Sequence, residues 1–438
     1  MFVVSSLRAH IMHAKQLRSM DSLVVAGWRP RGLFAVIPSP KVATTPCLSY
    51  RMKQPKTLFL VVIALLPLVL VSCSLLGGAP VSGGWAGTAL HDGIIYVGTR
   101  DGRVVAINAS TQSEQWDYTI TPVTTIYTTP VVDGDLVYVG TYSGKVLALN
   151  TTARSQNLSF PQKRYGEWEW DCPKENVKSN AIVADMAMSE DALYVASSNG
   201  RVYSLDKGTG DENWNGKDIP VLAEKLWTSP VIQGDALYVS TLGGNISALS
   251  LETGHLLDWS FKSQAGFASR PVTYGNTILL GSFDRYLQAI EIGSDVPVWK
   301  FPQEKPAGNW FWASPVVKEG VVYAGCLDGK LYAIEAETGE KLWEFDAGSP
   351  IISSPILMDN LLIIIGELGT LYVFDVDTEF EEEAVPLRAI SIGASVKSSF
   401  CAQDGLVYVR GEDDSIYVAD IERGEIVEGW PVSLTTEK

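Results

Sequence analysis

The chain has 438 residues, with 34 Lys and Arg against 50 Asp and Glu and a formal net charge of −16. An acidic balance of this kind argues against nucleic acid as a partner and against polybasic docking on anionic lipid. Four histidines and five cysteines leave little from which to build a metal centre, and none is expected.

The basic residues crowd the start of the chain. Residues 1–51 carry Arg8, Lys15, Arg18, Arg29, Arg31, Lys41 and Arg51 against the single acid Asp21, without repeat or periodicity. This stretch reads as an unstructured extension or an over-long start, with an organelle transit peptide as the alternative. Met52-Lys53-Gln54-Pro55-Lys56 is a short cationic segment, and the apolar run that follows to Ser72 is interrupted by Pro67. That run falls short of the roughly 18 residues needed to span a membrane. It ends in Leu70-Val71-Ser72-Cys73, which resembles a bacterial lipobox. The expectation is a lipoprotein signal peptide over 52–72, acylation of Cys73, and a small-residue tether over 73–84. An uncleaved anchor is the alternative and leaves the protein on the same, extracytoplasmic side. Removing 1–72 takes away nine basic residues and one acid, so 25 basic residues face 49 acids and the net charge becomes −24.

From residue 85 onward the chain repeats itself. The clearest unit, 315–345, reads as four short strands: a run ending at Gly320, an alternating run Val321 to Ala324, a third strand 330–335, and a last strand ending in Trp343 and Phe345. Asp328-Gly329 and Thr338-Gly339 supply the turns. The residue in the place of Tyr323 recurs as Tyr96, Tyr138, Tyr194, Tyr238, Leu279, Ile363 and Tyr408. Eight units at a period of about 40–45 residues predict an all-β fold, an eight-bladed β-propeller of four-stranded antiparallel blades. The closing tryptophan recurs as Trp116, Trp214, Trp259, Trp299 and Trp343, and shifted as Trp430. One long interval, 151–180, reads as an insertion within the propeller 85–438. Its Tyr165, Trp168 and Trp170 are candidate contacts for a partner, or a decoration packed on neighbouring blades. The acidic run 379–383 in the seventh unit reads as a solvated outer turn.

The stretch from Ala333 to Trp343, AIEAETGEKLW, resembles the tryptophan-docking motif of the pyrroloquinoline quinone (PQQ) dehydrogenase propellers, with weaker copies at 106–116, 248–259 and 289–299. The resemblance covers nearly everything after Gly83 and implies a quinoprotein-dehydrogenase-like propeller in which each tryptophan packs between blades. In signal type, blade number and size the chain is also similar to the outer-membrane assembly lipoproteins of the BamB family, which bind partners without performing chemistry. Those dehydrogenases are longer, and many carry a vicinal cysteine pair; no Cys-Cys occurs here. Cys326 and Cys401 read as buried small hydrophobes.

The innermost strands open with a recurring signature: Thr128-Thr129-Pro130, Thr228-Ser229-Pro230, Ser269-Arg270-Pro271, Ala313-Ser314-Pro315, Ser353-Ser354-Pro355 and Ser398-Ser399-Phe400. In a propeller these ends converge on the axis. Thr129, Ser229, Ser314, Ser354 and Ser399, with Trp227, Trp312 and the cations Arg270 and Lys397, therefore form a candidate channel site for an anionic ligand or acidic peptide. The alternative is that the hydroxyls satisfy inner-strand backbone groups.

The expected function is a non-catalytic, lipid-anchored scaffold for envelope proteins, bound to the membrane through Cys73 and needing no cofactor. A PQQ-dependent oxidoreductase and a cell-surface ligand- or carbohydrate-binding module stand as alternatives.

Overall fold

The computed structural model describes residues 86–151, 166–173, 179–214, 219–222 and 225–435, all within the compact unit Gly83–Lys438. Cys73, Tyr165 and the leader, signal and tether segments lie outside the described residues.

Eight antiparallel sheets follow one another along the chain. Blade 6 shows the plan: Val316–Lys318, Val321–Gly325, Lys330–Glu335 and Lys341–Asp346, each strand paired with the next. Its two middle strands are buried on both faces, because a blade is sandwiched between its neighbours. Val322, Ala324, Tyr332 and Ile334 pack with Leu279, Leu287 and Trp299 of blade 5. Tyr323, Leu331 and Ala333 pack with Leu362, Ile364 and Phe374 of blade 7. Burying such a side chain contributes about 1.5–3 kcal/mol, and no blade can bury both faces alone.

The ring closes without exchanging a strand. Blade 1 runs from Thr88–His91 to Ser113–Thr119, and blade 8 begins at Cys401–Gln403. The outer position of blade 8 is filled by two short pieces, Glu425–Ile426 and Val432–Ser433, both paired with Ser415–Asp420. Ile95, Val97, Val105 and Ile107 of blade 1 share one cluster with Tyr408, Ile416, Val418 and Trp430 of blade 8. Polar contacts finish the seam. The Thr88 hydroxyl donates to the Tyr408 carbonyl at 2.8 Å, Arg100 donates to the Glu412 carbonyl at 2.9 Å, and Arg103 donates to the Leu434 carbonyl.

Three stretches depart from the sequence expectation. Among the described residues blade 3 has three strands, with the bridge Leu205↔Glu212 in the place of a fourth. Gly166–Asp171, within the stretch read as an insertion, is the outer strand of blade 2, and Ala148 faces Trp168 in the same register as Ala333 faces Trp343. The acidic run after residue 379 does not simply turn in solvent. Glu383 bridges Glu344 in parallel, Glu344 N–H donates to the Glu382 carbonyl at 3.0 Å, and Ala384 N–H donates to the Glu344 carbonyl at 2.9 Å. Phe380 seats this strap against Trp343, with ring centroids 5.3 Å apart. The strap covers an outer edge that would otherwise offer unpaired backbone groups.

The docking tryptophans explain the Thr-Gly turns. The indole N–H groups of Trp168, Trp214, Trp259 and Trp299 donate to the carbonyls of Lys207, Leu251, Ser294 and Ala336 in the following blade, at 2.8–3.0 Å. Gly210, Gly254 and Gly339 hold positive φ beside them, and a Cβ on each would meet the indole of Trp168, Trp214 or Trp299 at 2.5–2.7 Å. Trp116 and Trp343 are buried in their own clusters.

Candidate functional site

Antiparallel order puts the connections between blades and the turns between second and third strands on one face. There the turns lean on the neighbouring connections through backbone bonds. Tyr142 N–H donates to Thr125, Phe283 to Gly266, Leu327 to Trp310, Glu367 to Pro350 and Glu412 to Ser395, all at 2.7–3.1 Å.

The hydroxyl signature divides into two roles. Its first position is structural: the Thr128, Thr228 and Ser398 hydroxyls donate to the carbonyls of Gly140, Ser240 and Arg410, and Ser269 Oγ accepts from Gly281 N–H. These bonds satisfy the end of the second strand inside each blade. The second position is defined by register, two residues before the partner of the residue that occupies the place of Tyr323 in each blade. Val131↔Tyr138, Val231↔Tyr238, Val272↔Leu279, Val316↔Tyr323, Ile356↔Ile363 and Cys401↔Tyr408 place Thr129, Ser229, Arg270, Ser314, Ser354 and Ser399 in it. Ala89↔Tyr96 and Ala187↔Tyr194 add Gly87 and Asp185, completing eight positions around the axis. The ring is tight. A Cβ on Gly87 would fall 2.7 Å from Thr129 Oγ1 and 2.8 Å from Ser399 Cβ, and Ser314 N–H reaches Ser354 Oγ at 3.0 Å.

Asp185 is the member sequence reading missed. Blade 3 opens with Ala184-Asp185-Met186, which lacks the Ser/Thr and Pro of its counterparts, so only alignment on Tyr194 reveals it. Its Oδ1 accepts the Thr129 N–H at 2.7 Å. Desolvation raises its pKa; hydrogen bonds from Thr129 and the charge of Arg270 oppose the rise.

Two residues before the ring, the same alternation lines a wider level with Tyr127, Val183, Trp227, Ala268, Trp312, Ile352 and Lys397, all half-buried. This level is two-sided. Tyr127 packs on the exposed Tyr142 at 5.5 Å, and Phe283 packs edge-on against Trp310 at 5.2 Å, so blades 2, 4, 5 and 6 present aromatic surface with Trp227 and Trp312. Blades 7, 8 and 1 present charge that is already neutralised. Lys397 lies 2.8 Å from Glu412 and 3.7 Å from Glu367, and Arg100 lies 3.5 Å from Asp414. The expectation that Lys397 serves an anion is therefore corrected: its ammonium is held by two carboxylates from neighbouring turns. Arg270 is exposed, and among the described residues no carboxylate lies within 4 Å of its guanidinium. Trp168 and Trp170 are not on this face; Trp170 packs on Tyr203 at 4.9 Å and donates to Glu212.

A family model described as outer membrane protein assembly factor BamB matches residues 74–217, 167–311 and 284–379. The chain belongs to that family. Among curated relatives, BamB of Moranella endobia is 27% identical over 195 residues, covering 42% of this chain and 46% of its own. BamB of Escherichia coli is 26% identical over 194 residues, covering 41% and 47%. These matches span about half the length of the relatives. Among solved structures, BamB from Moraxella catarrhalis aligns with a TM-score of 0.57 and 16% identity over 76% of this chain and 92% of its own. A quinohemoprotein alcohol dehydrogenase from Pseudomonas putida aligns at 0.56 and 13% identity over 77% and 70%. At such identities the structural likeness shows the shared propeller.

The residues around the axis do not fit the dehydrogenases' quinone. PQQ carries three carboxylates, whereas Arg270 is the one ring cation, Asp185 repels an anion, and Lys397 is already paired. Among the described residues no group of three or more His, Cys, Asp or Glu is placed to hold a metal, and no helix is long and apolar enough to cross a membrane. Cys326 is buried and donates weakly to the Asn309 and Trp310 carbonyls, and desolvation raises its pKa.

Proposed function

We propose that this chain is a non-catalytic, lipid-anchored scaffold of the bacterial envelope, tethered by acyl chains on Cys73 and docking partner proteins on the turn-bearing face of its propeller. The relatives' name, outer membrane protein assembly factor, supports assembly of outer membrane proteins as the process in which it acts. The observation that carries the reading is the aromatic half of that face, where Tyr127, Tyr142, Trp227, Trp310 and Trp312 keep solvent access around a self-neutralised charged half. Half-exposed aromatics beside an ordered rim are the composition of a protein-binding patch. An ordered scaffold presents them at small entropic cost.

The test places a photo-crosslinking residue at Tyr142 or Trp312 of the full chain in native membranes. Protein adducts that weaken on Trp227→Ala support the reading, and absence of any protein adduct from either position sinks it. Mass spectrometry of the mature N-terminus, looking for acylated Cys73, tests the anchor separately.

A further inference from the structure

Six of the eight axial ring positions are neutral: Gly87, Thr129, Ser229, Ser314, Ser354 and Ser399. The two charged members, Asp185 and Arg270, stand on blades 3 and 5 with Ser229 of blade 4 between them. Each is anomalous for a purely structural residue. Asp185 places a carboxylate where protein atoms crowd it, and Thr129 supplies both a main-chain and a side-chain hydrogen bond to it. A carboxylate has about four acceptor sites, so acceptor capacity remains beyond the bonds from Thr129. Arg270 has no carboxylate within 4 Å among the described residues, although Arg100, Arg103 and Lys397 near the same face are all paired with acids. Ser229 is buried between them in the ring. Acid, hydroxyl and guanidinium thus stand on three successive blades, with Arg270 near enough for its charge to act on Asp185, and Trp227 and Trp312 lie one level away on blades 4 and 6.

A guanidinium binds a carboxylate through paired N–H donors, and a carboxylate binds an ammonium or hydroxyl. We propose that Asp185, Ser229 and Arg270 form an axial site for a small aromatic amino acid. Its carboxylate is held by Arg270, its ammonium by Asp185 and Ser229, and its side chain lies against Trp227 and Trp312. The complementary order of charges selects a zwitterion over a simple anion, because Asp185 penalises a second negative group. The site does not depend on the scaffold reading.

The experiment uses the purified full chain in detergent and three probes followed by calorimetry: L-phenylalanine, 3-phenylpropionate without the ammonium, and 2-phenylethylamine without the carboxylate. Saturable binding of phenylalanine is expected, with each truncated probe weaker by about tenfold or more. Arg270→Gln should weaken phenylalanine and 3-phenylpropionate by about tenfold and leave 2-phenylethylamine unchanged. Asp185→Asn should weaken phenylalanine and 2-phenylethylamine and leave or improve 3-phenylpropionate. Thermal melts verify that each variant folds, and Arg270→Lys replaces Arg270→Gln if it does not. No saturable binding of phenylalanine, or equal affinity in wild type and both variants, overturns the proposal. Crosslinking from Tyr142 would stand in that event, so the two readings fail separately.

Discussion

The indole N–H of Trp168 in blade 2 donates to the backbone carbonyl of Lys207 in blade 3 across 2.8 Å. This one bond assigns Trp168 a role shared with Trp214, Trp259 and Trp299, because each joins its blade to the next through the same atoms. The contact also depends on a residue with no side chain. Gly210 lies under Trp168 as Gly339 lies under Trp299.

Blade docking is therefore predicted to be a coupled pair. Trp299→Ala should destabilise the chain by about 3–5 kcal/mol, the range for a large buried aromatic. Gly339→Ala should cost about 1–3 kcal/mol, since its φ of +73° is strained for any Cβ and that atom would lie 2.7 Å from the Trp299 ring. With Trp299 already removed, only the backbone strain remains, so the double variant should lose less than the sum. Urea unfolding of the four proteins measures this; strict additivity would show that the two residues do not form one dock.

The seam between first and last blades should be a second point of weakness. Arg103 donates to the Leu434 carbonyl and lies 3.0 Å from Asp101 and 3.4 Å from Asp117. Its side chain is nearly buried. Arg103→Met should cost about 2–3 kcal/mol, the range for hydrogen bonds to a charged group. Hydrogen exchange should speed first at Val432–Ser433, while Arg388→Met on an exposed outer strand changes stability by less than about 0.5 kcal/mol. Equal exchange at the seam in both variants would remove Arg103 from the closure.

How much of this was legible follows from how local each signal is. The strand-two aromatics and Gly-containing turns recur within a short window, so the eight sheets could be read directly. Trp168 could not, because the sequence between Asn150 and Gly166 is longer than its counterparts and carries no Thr-Gly, although the register Ala148↔Trp168 is the ordinary one. The strap at 380–384 is a pairing between blades, invisible to a pattern along one of them. Lys397 looked free because Glu367 and Glu412 reach it from two different turns. Asp185 was hidden by the loss of the hydroxyl-proline signature, and only the Tyr194 register recovers it.

The thiols are predicted to be silent in the folded protein. Burial raises the pKa of Cys172 and Cys326 and pushes Cys401 up to about 11, with the Thr88 hydroxyl opposing the last. At pH 8 a thiol with a pKa of about 11 is about one part in a thousand thiolate, the species that reacts. Maleimide labelling of these three positions should be slow at pH 8, rise with pH toward 11 at Cys401, and become fast in denaturant. Rapid labelling of native Cys326 would contradict its placement under Asn309 and Trp310.

Asp185 gives the sharpest pH test. Its pKa in the folded chain is raised by desolvation, so the folded state holds the proton to higher pH than the unfolded state does. Its contribution to stability is fully present below the unfolded value of about 3.9 and is lost as pH rises from there through the raised folded value. Asparagine has no proton to lose. The stability of Asp185→Asn relative to wild type should therefore be least favourable in acid, climb with pH, and level off once Asp185 is ionised in both states. Arg270 lowers the same pKa, so Arg270→Gln should extend the climb to higher pH. Urea midpoints from pH 4 to 8 measure both curves. A flat difference between Asp185→Asn and wild type would mean that Asp185 ionises as it does in the unfolded chain, and that the ring leaves its carboxylate fully solvated.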